Sequence, residues 1–268
     1  MKKLTVLLSL ALVIASLFVL VSCDGGAPQE KSYTVELETA NGKVLSGAVI
    51  EFVDENGAFL DYKEISTENK ATSKPLSGKV LAKISDLPLG YVVSNSTVVL
   101  TEEATKINVN TEIIKNYEEL PNSLSVGDVM YDFTFTDLDG NSYTLSQVLE
   151  SKKMVLLNFW YSTCMPCKQE FPALNKVYLD NKEKALVLGL NTTDNNFSSF
   201  KDNFDPALSI PLCKADLEVE SLFAQGHSGN WGAPATVVID QNGIVALVHV
   251  GPMTEAEFES LFATYIGE

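Results

Sequence analysis

Apolar residues alternate along the first third of this chain. Tyr33, Val35 and Leu37 interleave with Thr34, Glu36 and Glu38, the two-residue period of a strand with one buried face. Residues 48–53 repeat that signature and run into Asp54-Glu55-Asn56-Gly57, a turn sequence. Further short strands are predicted at 80–84, 91–93, 97–100 and 107–113, a spacing that argues a small all-β sandwich over residues 33–115. The pattern then changes. Segments 131–136 and 142–144 flank Asp139-Gly140 as a hairpin, and 145–149 reads as a short helix. Residues 154–160 are nearly all apolar, as a strand covered on both faces must be. A helix over 164–181, a strand at 185–190, a helix at 196–203, an extended run at 209–213 and a helix at 219–225 follow. A second hairpin (236–240 and 244–250) turns at Asn242-Gly243, and a closing helix spans 254–265 with Thr254 and Glu257 spaced as a capping box. Strands alternating with helices predict an α/β domain over 127–268, with 116–126, carrying Pro121 and Ser123, as the linker.

The first 22 residues are of another kind. Lys2 and Lys3 precede an uncharged run from Leu4 to Ser22, the layout of an export signal, and all readings of it place the rest of the chain outside the cytoplasm. Leu20-Val21-Ser22-Cys23 resembles the lipobox of bacterial lipoproteins, which implies cleavage before Cys23 and a lipid on its thiol. An uncleaved membrane anchor and a plain secretory signal are the alternatives. Residues 23–32, with Gly25-Gly26 and Pro28, then form a polar tether.

Chemistry concentrates at Cys164-Met165-Pro166-Cys167, where the apolar strand meets the next helix. The first thiol lies at the positive end of that helix, which favours its thiolate, and the second follows one turn on, within disulfide reach. Such a dithiol exchanges two electrons with a partner's disulfide or dithiol. Zinc needs four ligands, and only Cys213, His227 and His249 remain to complete a set, at irregular spacing, so no metal is expected. Cys213, in a short apolar run, reads as a small buried hydrophobe.

Composition narrows the partners. The chain carries 35 Asp and Glu against 19 cationic residues, all of them lysine, for a net charge of −16. Without guanidinium forks it is poorly equipped to grip phosphate, and no nucleic-acid partner is expected.

Two resemblances add to this reading. Gly47-Ala48-Val49-Ile50-Glu51-Phe52-Val53-Asp54-x-x-Gly57, with Leu87-Pro88-Leu89-Gly90-Tyr91, resembles the carboxypeptidase-regulatory-like and Cna-B-like sandwich domains; with no catalytic constellation visible in its sequence, this domain reads as a spacer or docking module. From about residue 122 on, Asn158-Phe159-Trp160, the Cys-x-x-Cys, Glu170-Phe171-Pro172 and Gly232-Ala233-Pro234-Ala235-Thr236 resemble the TlpA/ResA group of membrane-tethered thiol-disulfide oxidoreductases. That resemblance implies an α/β thioredoxin-like fold, a central mixed sheet flanked by helices, and a redox disulfide between Cys164 and Cys167. Cys164 is then the more exposed nucleophile and Cys167 the resolving thiol. Glu170 moves protons for the pair, its alternative being a solvated helix acid. Pro234 is a cis-proline facing the dithiol, Ala233 contacts the substrate backbone, and Pro234, Met165 and Pro166 complete the substrate-binding set. No cofactor is implied. The implied partners are an exported protein disulfide such as apocytochrome c, a transmembrane electron donor of CcdA/DsbD type, and the membrane through the Cys23 lipid. The same dithiol run in reverse is an oxidase, and the β-domain taken alone would suit a non-enzymatic adhesion or sensing lipoprotein. The family's aromatic residue before the first cysteine is Thr163 here, which alters the docking rim. A peroxiredoxin motif is absent, because Leu157 and Tyr161 stand where its Pro and Thr belong.

Overall fold

The computed structural model describes residues 29–115, 120–194, 196–204, 207–227 and 229–267. Cys23 and the segment before it lie outside the described residues.

The amino-terminal part is two four-stranded sheets face to face. Strands β1 (Thr34–Thr39), β4 (Lys70–Thr72), β6 (Tyr91–Val93) and β8 (Ala104–Thr111) form one, ordered β4-β1-β8-β6. Strands β2 (Val49–Asp54), β3 (Phe59–Glu64), β5 (Val80–Ser85) and β7 (Thr97–Leu100) form the other, ordered β3-β2-β5-β7. The alternation read from sequence is what fills the core, with Val35, Leu37, Ile50, Phe52, Ala82 and Val109 buried between the sheets. Strands β3 and β4 were not predicted. Each is an edge strand, and most of their residues face solvent, so no buried face imposes a period on them.

The second part is a five-stranded mixed sheet, ordered β13-β12-β11-β14-β15. Its centre is β11 (Met154–Trp160), parallel to β12 (Ala185–Asn191) and antiparallel to β14 (Ala235–Asp240). The outer strands are β13 (Leu212–Lys214) and β15 (Val245–Val250). Every residue of β11 and β12 is buried because helices cover both faces. Met154, Leu156 and Trp160 face α2 (Met165–Asn181) and α4 (Glu255–Ile266). Val155, Leu157 and Phe159 face α1 (Leu145–Leu149) and α3 (Leu217–Gly226). A short hairpin of β9 (Thr134–Thr136) and β10 (Ser142–Thr144) precedes them. The expected capping box at Thr254 is present with both of its hydrogen bonds.

Two expectations need correction. The helix predicted at 196–203 is only a 3-10 turn at Lys201–Asn203; Phe197 and Phe200 turn inward onto Trp160, and this aromatic packing, not helical periodicity, accounts for their spacing. The strand predicted at 131–136 is ladder-paired only at Thr134–Thr136, while Tyr131 makes an isolated bridge to Ile114.

The two parts touch. Leu124, inside the stretch read as a linker, is fully buried, and its N–H donates to Leu222 O at 2.9 Å. Tyr91 OH donates to Gly127 O at 2.6 Å, Thr111 Oγ1 to Asn242 O at 2.8 Å, and Lys43 pairs with Asp128. One apolar core runs from Val35 through Ile114 and Val129 to Val245.

Candidate functional site

The site is assembled where β11 ends. Tyr161-Ser162-Thr163 carries the chain across the sheet end to Cys164, which is extended (φ −71°, ψ 104°) and caps α2. The cap role puts its sulfur at the unpaired amides of the first turn, and Cys167 N donates to Cys164 Sγ at 3.2 Å. Pro166 fits the first turn because its missing N–H would have had no helical partner. Cys164 and Cys167 are joined as a disulfide, with their Cα atoms 5.3 Å apart.

Cys164 is the more exposed of the two thiols, as expected, but by little: it is 2 % exposed and Cys167 is fully buried. The reason is the turn opposite. The Ala233–Pro234 peptide is cis, and Ala233 O lies 3.8 Å from Cys164 Sγ. A disulfide sulfur has no hydrogen to donate, so this is a packing contact; only the reduced thiol could make it a hydrogen bond. Met165, 60 % exposed, and Pro166 form the outward rim, and Pro234 is buried.

Glu170, one turn beyond Cys167, is 3 % exposed, which overturns the alternative of a solvated helix acid. Its Oε1 accepts from Asn158 Nδ2 at 2.9 Å and its Oε2 from Met253 N at 2.9 Å. Burial pushes its carboxyl above the ordinary range, and those two donors only partly offset that. Asn158 Nδ2 is also 3.4 Å from Thr236 Oγ1, while Asn158 Oδ1 is buried without a partner among the described residues. In this orientation the amide donates to a carboxylate; turned over, its oxygen would accept from a protonated Glu170. The pair can therefore serve either protonation state.

Cys213 is buried on the other side of the sheet, and loss of hydration pushes its thiol up to about 12, so it stays a neutral hydrophobe at neutral pH. Trp160 is core, packed against Phe171, Phe197 and Phe200. Among the described residues no group of three or more His, Cys, Asp or Glu could hold a metal ion, and no helix is long and apolar enough to cross a membrane. Sequence reasoning picked out Asn158 and Glu170 but not their contact, and it missed Met253 and Asp194. Met253 acts through its backbone N–H, which no side-chain pattern encodes. Asp194 carried one signal, its place in a polar turn just after a buried strand.

Residues 125–264 match the Redoxin family. The thioredoxin-like protein YneN of Bacillus subtilis (strain 168) is 30 % identical over 156 residues, which cover 55 % of this chain and 84 % of that protein. Thiol-disulfide oxidoreductase ResA of Geobacillus kaustophilus is 31 % identical over 150 residues, covering 55 % of this chain and 82 % of that one. A crystal structure of a thiol:disulfide interchange protein of the thioredoxin family from Chlorobium tepidum TLS covers 56 % of this chain and 99 % of its own at 24 % identity, with a TM-score of 0.45. With its dithiol at the head of α2 beside a cis-proline turn, the chain belongs to the Redoxin family and is a thiol-disulfide oxidoreductase of the TlpA/ResA type.

Proposed function

We propose that the protein is a lipid-anchored reductase of disulfides in exported proteins, working on the extracytoplasmic face of a bacterial membrane. Reduced Cys164, as thiolate, attacks one sulfur of a partner disulfide; a mixed disulfide forms and the other partner sulfur leaves as thiolate. Cys167 then gives its proton to Glu170 and attacks Cys164 Sγ. The second partner thiolate leaves, and the two electrons have passed to the partner while Cys164–Cys167 becomes the disulfide. A membrane electron donor of CcdA/DsbD type returns the protein to the dithiol, and apocytochrome c is the type of substrate the resemblance favours. Backbone pairing at Ala233, with the Met165-Pro166 rim opposite, holds the partner chain in an extended form.

The observation that carries this reading is Cys164 at the cap of α2, packed on the cis Ala233–Pro234 turn. Reduction over oxidation is favoured by the dipeptide Met165-Pro166, which has no cation to stabilise the thiolate. Strong oxidants of this fold lie near about −120 mV and thioredoxin-like reductants near about −270 mV. Equilibration against glutathione should place this couple below about −220 mV. A higher value would make the enzyme an oxidase. The Cys23 anchor rests on Leu20-Val21-Ser22-Cys23; a Cys23→Ala protein that is still processed and membrane-bound would remove it.

A further inference from the structure

The segment that aims Cys164 has little structure of its own. Between β11 and α2 it makes one internal backbone bond, Cys164 N to Tyr161 O at 3.0 Å. What holds it comes from the neighbouring strand end. Asp194 Oδ2 accepts from Ser162 N at 2.7 Å, and Asp194 Oδ1 accepts from Ser162 Oγ at 3.0 Å. The carboxylate therefore grips both donors of a residue two positions before Cys164.

Asp194 is itself fixed. Asn191, fully buried at the end of β12 and paired in register with Trp160, donates Nδ2 to Asp194 Oδ2 at 2.7 Å. Asn191 Oδ1 accepts from Asp194 N at 2.8 Å, and Lys214 Nζ donates to Asp194 O at 2.6 Å. Three donors converge on one carboxylate, an arrangement suited to its ionised form alone. Burial raises its pKa, but the bonds from Asn191 and Ser162, with the Lys214 ammonium, outweigh that and leave the carboxyl below its ordinary value.

We propose that Asp194 is a positioning residue of the dithiol: it pins the segment that presents Cys164 and keeps a fixed negative charge near that sulfur, disfavouring the thiolate. The other charged groups to weigh are Lys168 and Glu170, which follow the dithiol on α2, and Lys214 on β13, which faces Asp194. The proline turn from Asn230 to Ile239 contributes none. Lys168 favours the thiolate, whereas Glu170 is buried on the Asn158 side and occupied by Asn158 and Met253. Asp194 is thus the anion tied to the approach to Cys164. A charge so placed sets how strongly the enzyme reduces, since a less stable thiolate makes a more reducing couple.

The test is the pH profile of iodoacetamide alkylation of the reduced protein, with peptide mapping to locate the label. Asp194→Asn removes the charge at nearly constant shape, and its alkylation midpoint should fall by about half a pH unit, the scale of one part-screened neighbouring charge. Its disulfide should be reduced by glutathione correspondingly more readily, by about threefold. Ser162→Ala keeps the charge and cuts one tether; its midpoint should stay with the wild type while its exchange rate falls. An Asp194→Asn protein whose midpoint matches the wild type overturns the inference. If that variant does not fold, Lys214→Met replaces it: losing the cation beside Asp194 should raise the midpoint, and an unmoved midpoint is equally fatal. The inference rests on Cys164 being the attacking thiol. Label appearing first on Cys167 in every variant would sink that assignment, whereas label on Cys164 with a fixed midpoint sinks only the role of Asp194.

Discussion

The sandwich and the thioredoxin-like part handle polar groups in opposite ways. Among the described residues the sandwich buries one polar side chain, Ser73, and Ser73 accepts from Tyr33 N at 3.0 Å, a structural task. The second part buries Asp137, Asn158, Glu170, Asn175, Asn191, Thr192 and Thr236. Asn158, Glu170 and Thr236 gather behind the dithiol, and Asn191 and Thr192 sit at the strand end that steadies the segment before it. Burying such groups costs about 1–3 kcal/mol each when a partner is missing, so a fold accumulates them only where something requires it. The sandwich core is almost wholly apolar, whereas the second part buries several polar groups, some of them beside the dithiol. They nevertheless share one core, so a fault in either reaches the stability of the whole.

The sharpest way to break this contrast is at the sulfurs. Cys164→Ser should abolish turnover on a protein disulfide, while Cys167→Ser should accumulate a mixed disulfide through Cys164, visible as a higher-mass, reductant-sensitive species. Turnover surviving in Cys164→Ser would move the chemistry elsewhere.

A second test strikes the junction. Gly90 has φ +80°, and a Cβ there would stand 2.5 Å from Val129 Cβ. Gly90→Ala adds backbone strain to a clash across the two parts and should destabilise the chain by about 2–3 kcal/mol, lowering the melting temperature by several degrees. Its rate on a small disulfide at 25 °C should stay near wild type. A rate that fell with the melting point would show that the sandwich supports the site.

A subtler effect concerns Glu170. Its folded pKa lies above that of the unfolded chain, so the native state holds the proton more tightly. Stability from this group is present in full below the unfolded carboxyl pKa and is lost as pH rises through the raised folded value. Glu170→Gln cannot lose that proton. It gives up one acceptor at every pH, yet its melting temperature relative to wild type should improve from about pH 4 to pH 8. Its exchange rate should fall and its pH–rate profile should flatten. Parallel melting curves across that range would argue against a carboxyl perturbed by burial.

The smallest effect is expected at Cys213. With its thiol pushed up to about 12, it should resist alkylation at pH 8 in the folded protein, and Cys213→Ala should leave turnover unchanged. Fast labelling of Cys213 would make it a third reactive thiol.

Much of this was legible in the chain. The strand 154–160, the dithiol at its end and the capping box at Thr254 are local statements, in which composition and spacing over a few residues carry the physics. Strands β3 and β4 were not legible, because an exposed edge leaves its side chains free of any period. The 196–203 stretch misled because Phe197 and Phe200 answer to Trp160, a partner far along the chain.

By itself the sequence determined the chemistry on offer: two thiols one helical turn apart, a carboxyl one turn further on, and two differently patterned parts to carry them. Only the tertiary structure decided what that chemistry can do. Closing the sheet brought Asn158 and Met253 onto Glu170, Ala233 onto Cys164, and Asp194 onto the segment before it. Hydrogen bonding and the loss of hydration act through space at about 3 Å, and separations of 12 to 83 residues along the chain say nothing about them until the fold removes the distance.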